Sequence, residues 1–210
     1  HWAVRRNNLD VADLLIRAGA DVRVTNRYGV SPLALACLNG NVAMVEKLLE
    51  AGADANSTQQ GGESALMTAA RTGNATVVQQ LLARGADVNA REEWKEQTAL
   101  MWAAAENNAA AVQALIAGGA DIPARSKTSR GVNELGNRGF TAFTFAARAG
   151  AIDAAQALLE GGASVNDALA DGTSALVLAV MSAHYEMAAF LLDHGADPNA
   201  AEQGWTCLLY

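Results

Sequence analysis

The residues best suited to metal or nucleophilic chemistry in this chain of 210 residues are three histidines, two cysteines and a recurring aspartate. They are His1, His184 and His194, Cys37 and Cys207, and Asp21, Asp54, Asp87, Asp121 and Asp197. A bound metal needs three or four such side chains around one point, and a nucleophile needs a base within hydrogen-bond reach. The first four aspartates follow one another at 33 or 34 residues, always after a Gly-Ala pair. Aspartates at equivalent places of stacked units lie about 8–10 Å apart at helix-packing distance, too far to share an ion. A turn-stabilising role after a helix stop suits them better. The histidines fall in different units or on different helix surfaces, and no Ser-His-Asp or Cys-His set converges. The sequence therefore predicts no catalytic residues, no metal and no cofactor. Cys37 and Cys207 stand five units apart, on the order of 40–50 Å at that packing distance. A disulfide spans about 7 Å at most, so both are expected as free thiols. That fits a reducing compartment and leaves localisation open.

The elements that must position any site come next. Hydrophobic residues make up 51% of the chain and charged ones 18%, enough to bury a large core. The formal charge is −7, which argues against bulk attraction to nucleic acid or anionic lipid. No apolar run approaches the length of a membrane span.

Internal repetition organises nearly everything. "GVSPLALACLNGNVAMVEKLLEAGADAN" aligns with "GESALMTAARTGNATVVQQLLARGADVN" and "GTSALVLAVMSAHYEMAAFLLDHGADPN", and with two further copies between them. Each unit opens on a Ser or Thr: Ser31, Ser64, Thr98, Thr141, Ser174 and Thr206, at intervals of 33, 34, 43, 33 and 32 residues. These residues are predicted helix N-caps, their oxygens accepting from a free backbone N–H. Leu33, Leu66, Leu100, Phe143 and Leu176 begin an apolar face, and alanine pairs such as Ala69-Ala70 let neighbouring helices approach closely. Val42, Val45, Leu48 and Leu49 give a second helix one apolar stripe. Gly19, Gly52, Gly85, Gly119, Gly162 and Gly195 are predicted to stop the second helices in a left-handed conformation. Polar, glycine-bearing segments between units are predicted to project as turns.

These units resemble ankyrin repeats. The family's T-P-L-H-x-A pattern stands here as "SPLALA", "SALMTA", "TALMWA", "TAFTFA" and "SALVLA", and its helix ending as "LLIRAGAD", "LLEAGAD", "LLARGAD" and "LLDHGAD". The resemblance implies one all-α solenoid of helix–turn–helix units with projecting fingers. Its complete repeats would be 25–56, 57–89, 90–123, 124–166 and 167–199, with partial repeats at 1–24 and 200–210. His1 matches the motif His, and Pro32 is the single motif Pro that survives. Further repeats or a cap are expected beyond both ends, because a solenoid end without a polar cap exposes its core. The resemblance also implies a non-catalytic module that binds a protein or peptide through fingers and first helices. The alternative is a substrate-positioning segment of a longer enzyme or receptor.

Within that frame the binding candidates are aromatic and basic residues of the presumed concave side. Tyr28 and Trp94 sit in turns, where packing asks little of them, and Tyr and Trp are favoured interface anchors. Phe140 and Trp205 precede N-cap residues and are expected to staple onto their helices, while Trp2, Trp102 and Phe145 share one first-helix position and are expected in the core. Turns and first helices carry a charge of about +2 and the second helices with their stops about −9, a division that favours an acidic partner. Arg27, Arg71 and Arg148 belong to that face. The long interval contains "RSKTSRGVNELGNR", an insertion near 124–138 whose Arg125, Lys127, Arg130 and Arg138 face only Glu134. This finger is expected to contact an acidic partner segment beside Trp94. Replacing Arg125 and Arg130 by Glu is expected to weaken binding without moving the melting temperature. Its junction is expected to be the softest of the array. "NST" at Asn56 and "NAT" at Asn74 match the glycosylation triplet, a pattern frequent by chance.

Overall fold

The computed structural model describes residues 1–127 and 139–200. Twelve α-helices and no strands are found among them. The helices fall in six pairs: α1 (Trp2–Arg5) with α2 (Leu9–Arg17), α3 (Pro32–Leu38) with α4 (Val42–Glu50), and α5 (Ala65–Thr72) with α6 (Ala75–Ala83). Then follow α7 (Ala99–Ala105) with α8 (Ala109–Ala117), α9 (Ala142–Ala149) with α10 (Ile152–Glu160), and α11 (Ala175–Met181) with α12 (Tyr185–Asp193). First helices stack in one layer, α1 on α3 through to α9 on α11, and second helices stack behind them from α2 to α10.

The local signals act as their chemistry predicts. Ser31, Ser64, Thr98, Thr141 and Ser174 each accept from the backbone N–H three residues on, closing the first turn of a first helix. Thr206, the sixth, lies outside the described residues with Trp205 and Cys207. The motif leucines and Phe143 are buried, and so are the alanine pairs between them. All six predicted stop glycines have φ between +81° and +101°. Asp21, Asp54, Asp87 and Asp197 each accept from the N–H two residues ahead, which makes them turn formers.

Second helices start differently. Asn8, Asn41 and Asn74 cap α2, α4 and α6 with their own side-chain oxygens. Ala151 opens α10 and has no side-chain oxygen to offer. Asn107 of the preceding unit supplies it instead: its Oδ1 accepts from Ala154 N at 3.0 Å and its Nδ2 donates to Asp153 at 3.0 Å.

Asparagines also tie unit to unit. Asn56 donates to Gly85 O and accepts from Asp87 N, and Asn89 does the same to Gly119 O and Asp121 N. Asn166 accepts from Asp197 N. At the matching place in the fourth unit stands Pro123, which can make no such tie.

Candidate functional site

Fingers and first helices form one continuous side of the stack, and each finger is built from its own polar residues. Asn26 Oδ1 accepts from Tyr28 N and Val30 N, setting the first finger. His1 Nε2 donates to Val30 O at 2.9 Å, joining α1 to that finger. The third finger is organised by Glu92, a buried carboxylate that accepts from Trp94 N, Lys95 N and Gln97 N at 2.7–3.0 Å. Sequence reading missed Glu92. The available signal was the interval of 34 residues instead of 33, which adds one residue to this turn.

Trp94 is 72% exposed, and its ring lies so close to Gly61 that a Cβ there would meet it at 3.0 Å. Tyr28 is 57% exposed, with the Arg27 guanidinium 4.7 Å over its ring. The three first-helix aromatics diverge. Phe145 is buried against Phe140, whose ring is 4.9 Å away, so Phe140 covers the helix as expected. Trp102 is half-buried, its indole N–H donating to Gln97 and its face under Arg71 at 5.4 Å. Trp2, expected in the core, is 70% exposed. The position lies at the margin between core and groove, so each aromatic is as buried as its neighbours make it, and Trp2 is flanked by the Arg5 and Arg6 guanidiniums.

The basic candidates divide as well. Arg71 and Arg148 line one cavity of about 320 Å³ together with Gln97, Met101, Trp102 and Phe145. Burial pulls Arg148 below the ordinary arginine value. A second cleft holds Trp2, Arg5, Arg27, Tyr28, Leu35 and Leu38. Lys127 is exposed at the root of the insertion, its Nζ 3.7 Å from Glu96 and its N–H donating to Lys95 O. Arg130 and Arg138 lie outside the described residues.

Arg125 turns towards the neighbouring finger. It donates to Gly139 O at 2.9 Å and Ala168 O at 2.8 Å, and pairs with Asp167 at 2.9 Å. Ser126 N donates to Phe140 O and Phe140 N to Ser126 Oγ, which closes the base of the insertion. These bonds argue against the expectation that a charge reversal at Arg125 spares stability, because this side chain joins two fingers.

The reactive side chains have structural occupations. His194 Nδ1 is within 2.7 Å of Phe190 O, and His184 packs against Gly150. Cys37 is unpaired and fully buried, which pushes its thiol up to about 12. Asn56 ties two units and Asn74 caps α6 while donating to Gly40 O, so glycosylation at either triplet would sever those bonds.

The model of the family described as ankyrin repeats (3 copies) matches residues 1–92, 57–126, 76–168 and 100–202. The chain belongs to the ankyrin-repeat family. The solved human ASB11 ankyrin repeat domain is 28% identical, with a TM-score of 0.84 over 99% of this chain and 89% of that one. No curated protein matches. Ankyrin repeats generally serve as protein–protein interaction modules and are typically non-catalytic. No helix among the described residues is long and apolar enough to cross a membrane.

Proposed function

We propose that this ankyrin array is a non-catalytic module that grips a segment of a partner protein along its fingers and first helices, and that the segment is acidic. The observation that carries the reading is the pair of pre-set aromatics, Trp94 on Gly61 and Tyr28 under Arg27. A large ring already held in one orientation loses little freedom on binding, which is what an anchor needs. Arg27, Arg71, Arg148 and Lys127 lie on the same side and suit a partner of negative charge. Arg130 and Arg138 belong by sequence to the insertion, whose described ends pair at Ser126 and Phe140 and meet the Trp94 finger where Lys127 N donates to Lys95 O. Arg125 contributes by holding that insertion's base. Structural roles for His1, His194 and Cys37 support the non-catalytic reading.

The test is a binding measurement on the partner recovered with the intact chain. Tyr28→Ala with Trp94→Ala is expected to weaken it about tenfold or more. Arg130→Glu with Arg138→Glu is expected to weaken it severalfold at low salt and to flatten its salt dependence. If both variants bind as the parent does while Glu46→Lys with Glu50→Lys on α4 abolishes binding, the working face is the opposite one.

A further inference from the structure

The cavity between α5, α7 and α9 holds an unusual cation. Arg148 is half-buried, with its guanidinium carbon 4.5 Å from the Phe140 ring centre and 5.0 Å from that of Phe145. Stacking on rings covers the face of a guanidinium and leaves its N–H edge free. Among the described residues that edge has no carboxylate or carbonyl partner. Arg71, across the same cavity, is already engaged by Glu63 at 3.4 Å and by the Trp102 face. The indole N–H of Trp102 is taken by Gln97, so what this ring adds to the cavity is apolar surface. Glu106 also lines the cavity. Its charge, with that of Glu63, tolerates one incoming negative charge better than two.

We propose that this cavity binds a single peptide carboxylate edge-on at Arg148, with the apolar residue next to it lying on Trp102. The site refines the acidic-segment reading and rests on it: the cavity selects one acid in apolar surroundings over an acidic run. A planar guanidinium edge offers two parallel N–H groups to a carboxylate, and partial burial strengthens that bond over the same pair in water. The carboxylate belongs to an internal Asp or Glu or to a chain end.

The test uses the whole chain labelled with nitrogen-15, reading the Arg148 side-chain N–H and the Trp102 indole N–H by NMR. The small probes are 4-phenylbutyrate, its amide, and phenyl phosphate. We expect the acid to shift both signals with a dissociation constant on the order of 1 mM, and the amide to shift neither. Two blocked peptides, one with an internal Glu and an amide end, the other with Gln and a free end, then assign the source; binding by either supports the site. Arg148→Gln should remove the response, and Arg148→Lys, which keeps charge but loses the fork, should weaken it severalfold at unchanged melting temperature. Glu106→Gln should tighten it about twofold. Equal shifts by acid and amide, stronger binding by phenyl phosphate, or full binding by Arg148→Lys would each overturn the site. If that happens while the Tyr28 and Trp94 variants still lose the partner, only the carboxylate site is wrong.

Discussion

Two junctions of this solenoid solve one problem with different chemistry. Between the units of α3–α4 and α5–α6, Asn56 reaches across the helix-stop edge and pairs neutral groups at 2.7–2.9 Å. Between the units of α9–α10 and α11–α12 a tie lies on the finger edge instead, where Arg125 clamps Gly139, Ala168 and Asp167. What the stack requires at each joint is a set of satisfied backbone groups, and either a short amide or a long cation supplies it. The choice changes the physics. A neutral bond is indifferent to salt, while an ion pair whose arginine is nearly half exposed is screened by it.

The comparison breaks most visibly at Arg125. Arg125→Ala removes three charged hydrogen bonds and is expected to cost about 2 kcal/mol after allowing for solvent exposure, measured by urea unfolding. A loss below about 0.5 kcal/mol would mean that packing alone holds the joint. Part of the cost should vanish in 1 M salt, where screening is nearly complete. Asn89→Ala should cost less, about 1 kcal/mol, and its cost should not change with salt. Equal salt dependence in the two variants would erase the distinction between the joints.

A smaller contrast lies in the turns between paired helices. Gly73 and Gly150 take positive φ there without strain, whereas Ala183 is held at +60°. Ala183→Gly should stabilise the chain by about 0.5–1 kcal/mol, because a left-handed alanine is the costlier conformer. Asn107 sits at φ +57° in the same place, yet Asn107→Gly should destabilise, since its side chain bonds Asp153 and Ala154. The smallest effect belongs to Asp13, which ties α2 to α4. The hydrogen bond from Lys47, aided by Arg17, holds its carboxyl below the ordinary 3.8. A lowered carboxylate contributes stability above the ordinary value and loses it as pH falls through the lowered one. The melting difference between the parent and Asp13→Asn should therefore be constant near neutrality and close below about pH 4.

The repeat architecture was legible because its signals are local. A Ser or Thr cap, a Leu two residues on and a Gly at the stop all act within a few residues of themselves, so spacing alone exposes them. Arg125, Trp2 and Glu92 were not legible in the same way. Arg125 carries the composition of a partner-facing finger, and only the register of the next unit, 42 residues away, shows that Asp167 is its counterpart. Trp2 shares a motif position with Phe145, but exposure there depends on what a neighbouring finger lays over it. Glu92 looked like one acid among several in "REEWKE" until three N–H groups were seen to converge on it. Of the proposed site, Arg71, Arg148 and Trp102 were each visible in sequence, while their meeting around one cavity followed from how α5, α7 and α9 align.

The cap that Asn107 lends to α10 gives the array a direction of growth. A unit that carries its own cap can begin its second helix before any neighbour docks. The unit holding α10 cannot complete its first turn alone, because the acceptor for Ala154 sits on the preceding turn. Chains emerge from the ribosome N-terminal end first, so Asn107 is in place when α10 appears and waits as a ready-made seat. Propagation across this joint runs with synthesis, and an excised 124–166 segment would begin its second helix with an open end.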